Sequence, residues 1–191
     1  MKPKLNIIIC STRPGRVGPK IATWVEAAAK ANGEFDVSLV DLATFDLPLL
    51  DEPDHPRLQK YQNETTKRWS ESVKDAEAFI FVTPEYNYFP PASIVNAMQV
   101  IVAEWGRKPA AVVSYGGISG GLRAAQMLRH LMSSVNLHPI PQTVPVPLIM
   151  GNFFDEDGAF KPTQPMEDGA KTLLDELLFW AKSLNTARQA G

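Results

Sequence analysis

Apolar positions along the chain follow two alternating rhythms. The runs "LNIIIC" (5–10), "AFIFVT" (78–83) and "AAVVSY" (110–115) are apolar almost throughout. That predicts strands of a parallel sheet covered on both faces. "FDVSLVDL" (35–42) alternates instead and predicts another strand, second in chain order. A fifth strand region, "LHPIP" and "TVPV" (137–146), is broken by prolines, which shorten a strand or confine it to an edge. Between the strands the period lengthens to that of a helix. After Pro19, which suits a first helical turn, Ile21, Trp24, Val25 and Ala28 form one face, and Asn32-Gly33 stops it. A polar helix is predicted over 57–75, with Leu58, Tyr61, Thr65, Trp69 and Val73 inward. Ile94, Val95, Met98, Ile101, Val102 and Trp105 predict a further stripe, and Ala124, Leu128, Leu131, Met132 and Val135 another. A last helix is expected over about 167–186, with 187–191 as a frayed tail.

The order βαβαβαβαβα predicts an α/β chain with helices on both faces of a parallel sheet. Right-handed crossovers and five strands point to the order 2-1-3-4-5, with a ligand at the carboxyl ends of strands 1, 3 and 4. No repeat or linker divides the chain, so residues 1–191 are expected to form one domain.

Composition narrows the function. The 191 residues are 45% hydrophobic and 21% charged, as in a globular domain. A net charge of −2 leaves no basic footprint for nucleic acid. No apolar run reaches membrane-spanning length, and the N-terminal run is too short for a signal-peptide core. Cys10 is the single cysteine, which fits a cytoplasmic setting and reads as a small core residue. His55, His130 and His138 are scattered, and no metal is expected. The four tryptophans fall on helix stripes as core or interface, and Asp51, Glu52 and Asp54 read as solvated loop.

The three expected strand ends carry unusual loops. "STRPGRVG" (11–18) offers backbone N–H groups, two hydroxyls and two arginines before a helix, a set that suits a terminal phosphate. It misses the triphosphate pattern GxxxxGK[ST]: Cys10, Arg16 and Val17 stand where the first glycine, the lysine and the hydroxyl belong. GxGxxG is absent too, so a phosphate site here points to a monophosphate rather than a triphosphate or pyrophosphate; a solvated basic turn capping the helix is the other reading. "TPEYNYFPPAS" (83–93) presents rigid aromatic surface, with Glu85 and Asn87 able to meet the edge of a heterocycle. Packing against another subunit would also explain it. "SYGGISGG" (114–121) has four glycines that permit positive φ and close backbone approach to a ligand, or else form a plain turn.

The segments "STRPGRVGPKIATWV", "TPEYNYFPPASIVNAMQVIVAEWGRKPAAVVSYGG" and the helix that follows resemble the NADPH-dependent FMN reductase family, over about residues 5–135. The "PEYN" loop, a small-residue turn and "NA" are the most specific part. That family has the flavodoxin-like three-layer fold and includes quinone and azo-dye reductases. The resemblance implies FMN, with its phosphate on Ser11, Thr12, Arg13, Arg16, Val17 and Gly18. It implies a ring edge on Pro84, Glu85, Tyr86, Asn87 and Tyr88, and a third contact at Ser114, Tyr115, Gly116 and Gly117. NADPH or NADH would donate electrons to a small acceptor with no catalytic side chain, in a homodimer or homotetramer. Two departures stand out. Cys10 replaces a common glycine, and "VNAMQ" replaces "KNAID", so that Val95 and Gln99 stand for lysine and aspartate. The second bears on oligomer geometry more than on FMN. A flavodoxin-type electron carrier or a non-catalytic FMN-binding redox sensor are the alternatives, although −2 is far from the strongly acidic docking face of a carrier.

Overall fold

The computed structural model describes residues 2–149, 151 and 153–190. Five strands, β1 (Lys4–Ile9), β2 (Asp36–Asp41), β3 (Ala78–Pro84), β4 (Lys108–Tyr115) and β5 (Leu137–Val146), form one sheet in the order β2-β1-β3-β4-β5. Every pairing is parallel, as the strand–helix alternation predicts. Five helices connect them: α1 (Gly18–Asn32), α2 (Glu64–Lys74), α3 (Ala92–Gln99), α4 (Leu122–Ser134) and α5 (Gln164–Ala190).

The continuous apolar runs are the central strands. β3 and β4 are buried along their whole length, and β1 from Leu5 onward. Their side chains alternate between two cores. Ile7, Ile9, Ile80 and Val82 pack under α1 and α5, while Ile8, Phe79, Phe81 and Val112 pack under α2, α3 and α4. Trp69, Phe79, Phe81 and Trp105 form an aromatic nest in the second core. The buried Trp69 Nε1–H donates to the Ala97 carbonyl at 2.8 Å, which ties α2 to α3. β2 and β5 are the edges. Pro139, Pro141 and Pro145 sit in β5, and its register against β4 shifts between Ala110 and Val112. Proline is tolerated there because an edge strand has one side without a ladder partner.

Three expectations about helices are corrected. The helix predicted over 57–75 begins only at Glu64; Pro56–Leu58 is a separate 3-10 turn. Gln59 takes a left-handed φ of 53° between them, which breaks the helix. Leu58 is 56% exposed, and Thr66, not Thr65, is the buried threonine. The stripe running to Trp105 likewise ends at Gln99. Ile101 and Trp105 remain buried through a loop and a single 3-10 turn, Ala103–Trp105. Residues 187–190, expected as a tail, are the last turn of α5, where Arg188 donates to the Arg107 carbonyl at 2.7 Å.

Candidate functional site

The carboxyl ends of β1, β3 and β4 lie side by side at the centre of the sheet, and the three unusual loops follow from them.

The first loop runs from Cys10 into α1. Cys10 is fully buried, as expected of a core residue. Thr12, Arg13, Pro14 and Gly15 are exposed, and Val17 is half-buried against the core. The N–H groups of Ser11, Thr12, Gly15, Val17 and Gly18 have no acceptor among the described residues. Helix α1 has no side-chain cap and no acidic residue in its first turn. A free helix N-terminus with unpaired N–H groups favours an anion. Arg13 forms none of the ion pairs among the described residues. Its guanidinium is the loop's available cation.

Arg16 is used differently. One terminal nitrogen donates to the Ser11 carbonyl and the other to Asp41 Oδ2, each at 2.5 Å. Arg16 therefore ties the loop to the end of β2. Asp41 was not among the sequence candidates, since its partner lies 25 residues away. Gly18 is a close-approach position: a Cβ there would stand 2.8 Å from the Tyr115 hydroxyl and 3.3 Å from Ile9 Cγ2.

The second loop is a stiff bracket. Pro84 is buried as the last residue of β3. Tyr86 and Phe89 exchange N–H···O bonds at 2.9 and 3.0 Å around Asn87 and Tyr88, whose φ values are 51° and 67°. Two left-handed central residues make this a type I′ turn. The turn presents Asn87, Tyr88 and Phe89 to solvent, Tyr88 with 67% of its surface exposed.

Glu85 does not present its carboxylate to a ligand edge. It accepts from Ser119 Oγ (2.9 Å), the Arg123 backbone N–H (3.0 Å) and guanidinium (2.9 Å), and the Ala124 N–H at 3.4 Å. It thus caps α4, whose own N-cap, Gly121, has no side chain to do so. The Arg123 guanidinium lies 4.2 Å from the centre of the Tyr88 ring, a cation–π contact. Ser119 and Arg123 escaped the sequence reading because their common partner is in another loop. Burial would raise the Glu85 pKa, but the hydrogen bonds from Ser119, Arg123 and Ala124 outweigh it and hold it below the ordinary 4.5. A depressed folded-state pKa contributes stability that is present above the unfolded value and lost as pH falls through the folded one. Acid titration of the wild type should therefore show a loss of stability beginning below about pH 4.5. Glu85→Gln should lack that segment, and an unchanged acid profile would contradict the capping role.

The third loop closes mainly on itself. Ser114 is buried and donates to the Gly120 carbonyl at 2.8 Å. Tyr115 is 4% exposed, and its hydroxyl lies under the first loop beside Gly18 without a partner among the described residues. Neither side chain reaches the open surface. Gly116 packs on Gly121 and Glu85, whereas the Cβ position of Gly117 meets nothing within 4 Å. Gly117 is thus the glycine of this loop that faces free space.

A fourth segment borders the site. Asn96 is 7% exposed; its Oδ1 accepts from the Leu50 N–H at 3.0 Å and its Nδ2 donates to the Pro48 carbonyl at 2.7 Å. Ser93 Oγ donates to the Cys10 carbonyl at 2.7 Å. The start of α3 so holds the first loop and the 43–56 connection together, around a cleft of about 460 Å³ between Thr12, Leu47, Leu49 and Asn96. In that connection Glu52 is not simply solvated: it accepts from the N–H groups of Gln62 and Asn63 at 2.7 and 3.1 Å, ahead of α2.

Comparison with known proteins bears on this arrangement directly. The family model for NADPH-dependent FMN reductases matches residues 3–150, most of the chain and all three loops. The chain belongs to the NADPH-dependent FMN reductase family. An NAD(P)H-dependent FMN reductase of Schizosaccharomyces pombe is 40% identical over 141 residues, covering 73% of this chain and 70% of that protein. A quinone reductase of Pseudomonas putida is 28% identical over 190 residues, covering 95% of each. Among solved structures, a flavoenzyme NAD(P)H:(acceptor) oxidoreductase of Paracoccus denitrificans superposes with a TM-score of 0.70 at 20% identity, over 95% of this chain and 98% of that one. The architecture is flavodoxin-like, with the sheet order of that fold. Among the described residues no helix is long and apolar enough to cross a membrane, and no group of three or more His, Cys, Asp or Glu side chains is placed to hold a metal.

Proposed function

We propose that the protein is an FMN-dependent NAD(P)H oxidoreductase that passes two electrons to small acceptors such as flavins, quinones or azo compounds. One observation carries this reading. The start of α1, without a side-chain cap and with N–H groups unpaired among the described residues, stands with the exposed Arg13 directly beside a rigid aromatic turn. The donor set fits a terminal phosphate, since N–H groups and a guanidinium together answer a dianion's charge and its several acceptor oxygens. When bound, FMN supplies hydride acceptance from the nicotinamide and onward delivery of the electrons.

The chain's own residues bind and orient. Arg13 and the N–H groups of Thr12, Gly15, Val17 and Gly18 hold the phosphate. Arg16 acts at one remove, by pinning the loop to Asp41. Pro84 to Tyr88 border the ring, with Glu85 bracing that border through α4. Gly117 leaves the space on the third side, and Ser114 and Tyr115 build that side from within. Backbone N–H groups of the second and third loops would face the ring as preorganised donors.

The test is the absorption spectrum of the purified protein, before and after anaerobic NADPH and NADH. A bound flavin bleached rapidly by either nucleotide is the expected result. Slow bleaching that needs another reductase would make the protein a carrier, and no flavin after adding FMN would refute the cofactor. We read the protein further as a cytoplasmic homodimer or homotetramer. The exposed Tyr88, Phe89, Ile118 and Leu148 around the second and third loops favour self-association, and one buried cysteine suits a reducing compartment.

A further inference from the structure

Ser11 occupies a junction. Its side chain is fully buried, so its hydroxyl is not presented to a ligand on the loop surface. That hydroxyl lies 2.8 Å from the Tyr86 hydroxyl and accepts the Arg13 N–H at 3.4 Å. Its carbonyl accepts from Arg16, whose other terminal nitrogen reaches Asp41. Ser93 and Asp41 tie the loop at its two flanks, through Cys10 and Arg16, and among the described residues Tyr86 is the side chain of the ring-edge loop that bonds to the Ser11 hydroxyl between them.

The two loops differ in stiffness. Tyr86 belongs to a closed turn with two internal N–H···O bonds, and the preceding Glu85 donates its N–H to the Tyr115 carbonyl at 2.9 Å. The first loop is exposed from Thr12 to Gly15 and has few internal bonds. A bond between a stiff element and a soft one sets the geometry of the soft one. The Tyr115 hydroxyl is also enclosed here, and burial, with Tyr86 and Cys10 nearby, pushes its pKa up, so that it stays protonated. The junction is therefore enclosed on the Ser11 and Tyr115 side and half-buried at Tyr86, which partly shields the Ser11–Tyr86 bond from water.

We propose that Tyr86 is a positioning residue for the phosphate end of FMN: through its bond to Ser11 it holds the phosphate loop in shape, although it belongs to the ring-edge loop. This rests on the FMN reading above. A residue that only touched the ring would affect a flavin with or without a phosphate. Tyr86, acting through Ser11, is felt mainly by a flavin that carries one.

Flavin-fluorescence titration of wild type and Tyr86→Phe with FMN and with riboflavin, which lacks the phosphate, separates the two. Tyr86→Phe should weaken FMN by about threefold to tenfold, as for one neutral hydrogen bond, and riboflavin hardly at all. Ser11→Ala should cost FMN a similar factor, and the double variant no more than the larger single loss, because both remove the same bond. Equal weakening of FMN and riboflavin, or additive losses in the double variant, would overturn the proposal and leave the FMN reading standing. Should Ser11→Ala not fold, the FMN-to-riboflavin ratio of Tyr86→Phe decides alone. A wild type that takes up no FMN overturns both.

Discussion

Gly121→Ala should lower folding stability by roughly 2–5 kcal/mol. A Cβ at this position would stand 2.7 Å from the Tyr115 nitrogen, 2.8 Å from its oxygen and 2.9 Å from Ser114 Cβ. Two of these atoms are backbone at the end of a central strand, so no flexible tip can move aside. Overpacking of this kind costs about 1–3 kcal/mol. The φ of 80° adds about 1–2 kcal/mol for any residue with a Cβ. The damage would not stay local. Gly121 is the N-cap of α4, which Glu85 caps from the second loop, and the adjacent Gly120 carbonyl accepts from Ser114. Urea unfolding measures the effect as a lower midpoint, with flavin affinity falling in the same variant. An unchanged midpoint would mean that the third loop is not closed on β4 as described.

Arg13→Ala should weaken FMN roughly tenfold to hundredfold, equivalent to about 1.5–3 kcal/mol for a hydrogen-bonded charge. Stability should hardly change, because Arg13 is exposed and makes no ion pair among the described residues. Arg16→Ala is expected to differ in kind. It removes the Asp41 pair and the Ser11 carbonyl bond, so stability and affinity should fall together. Arg13→Lys should recover part of the loss, since it keeps the charge but not the planar fork. Calorimetric titration with FMN, alongside thermal unfolding, checks all three. An Arg13→Ala dissociation constant equal to that of the wild type would remove Arg13 from the site.

The contrast between the two arginines shows why the site was only partly legible in the sequence. Both occur in one short loop ahead of a helix, and that pattern reads as an anion-binding turn. Which of them stays free depends on Asp41, which reaches the loop only because β2 pairs alongside β1. The same holds for Glu85. As a residue of an aromatic loop it reads as a ligand contact. In the fold it caps a helix that begins 37 residues later, because β3 and β4 are neighbours and deliver both segments to one place.

The helix boundaries fail for a related reason. Leu58 and Tyr61 satisfy a helical period with Trp69, but period is a statement about spacing and not about backbone continuity. Gln59 turns left-handed, and Tyr61 and Gln59 are drawn instead to the buried Glu104, together with Ser70 of α2. That carboxylate comes from beyond α3, out of range of any local window.

Local patterns along the chain suffice for the strand–helix alternation, the order of the sheet and the three loops at its centre. These follow from the continuous burial of β1, β3 and β4 and from crossover handedness, both of which are written in local patterns. What each polar side chain in those loops bonds to depends on which segments the folded chain brings together. Hydrogen bonds and ion pairs are short-ranged, and Ser11 with Tyr86, Arg16 with Asp41 and Glu85 with Arg123 become partners only when the sheet brings distant segments within 3 Å. The loops were marked by composition; which of their side chains are left free and which hold the loop in shape is a property of the fold.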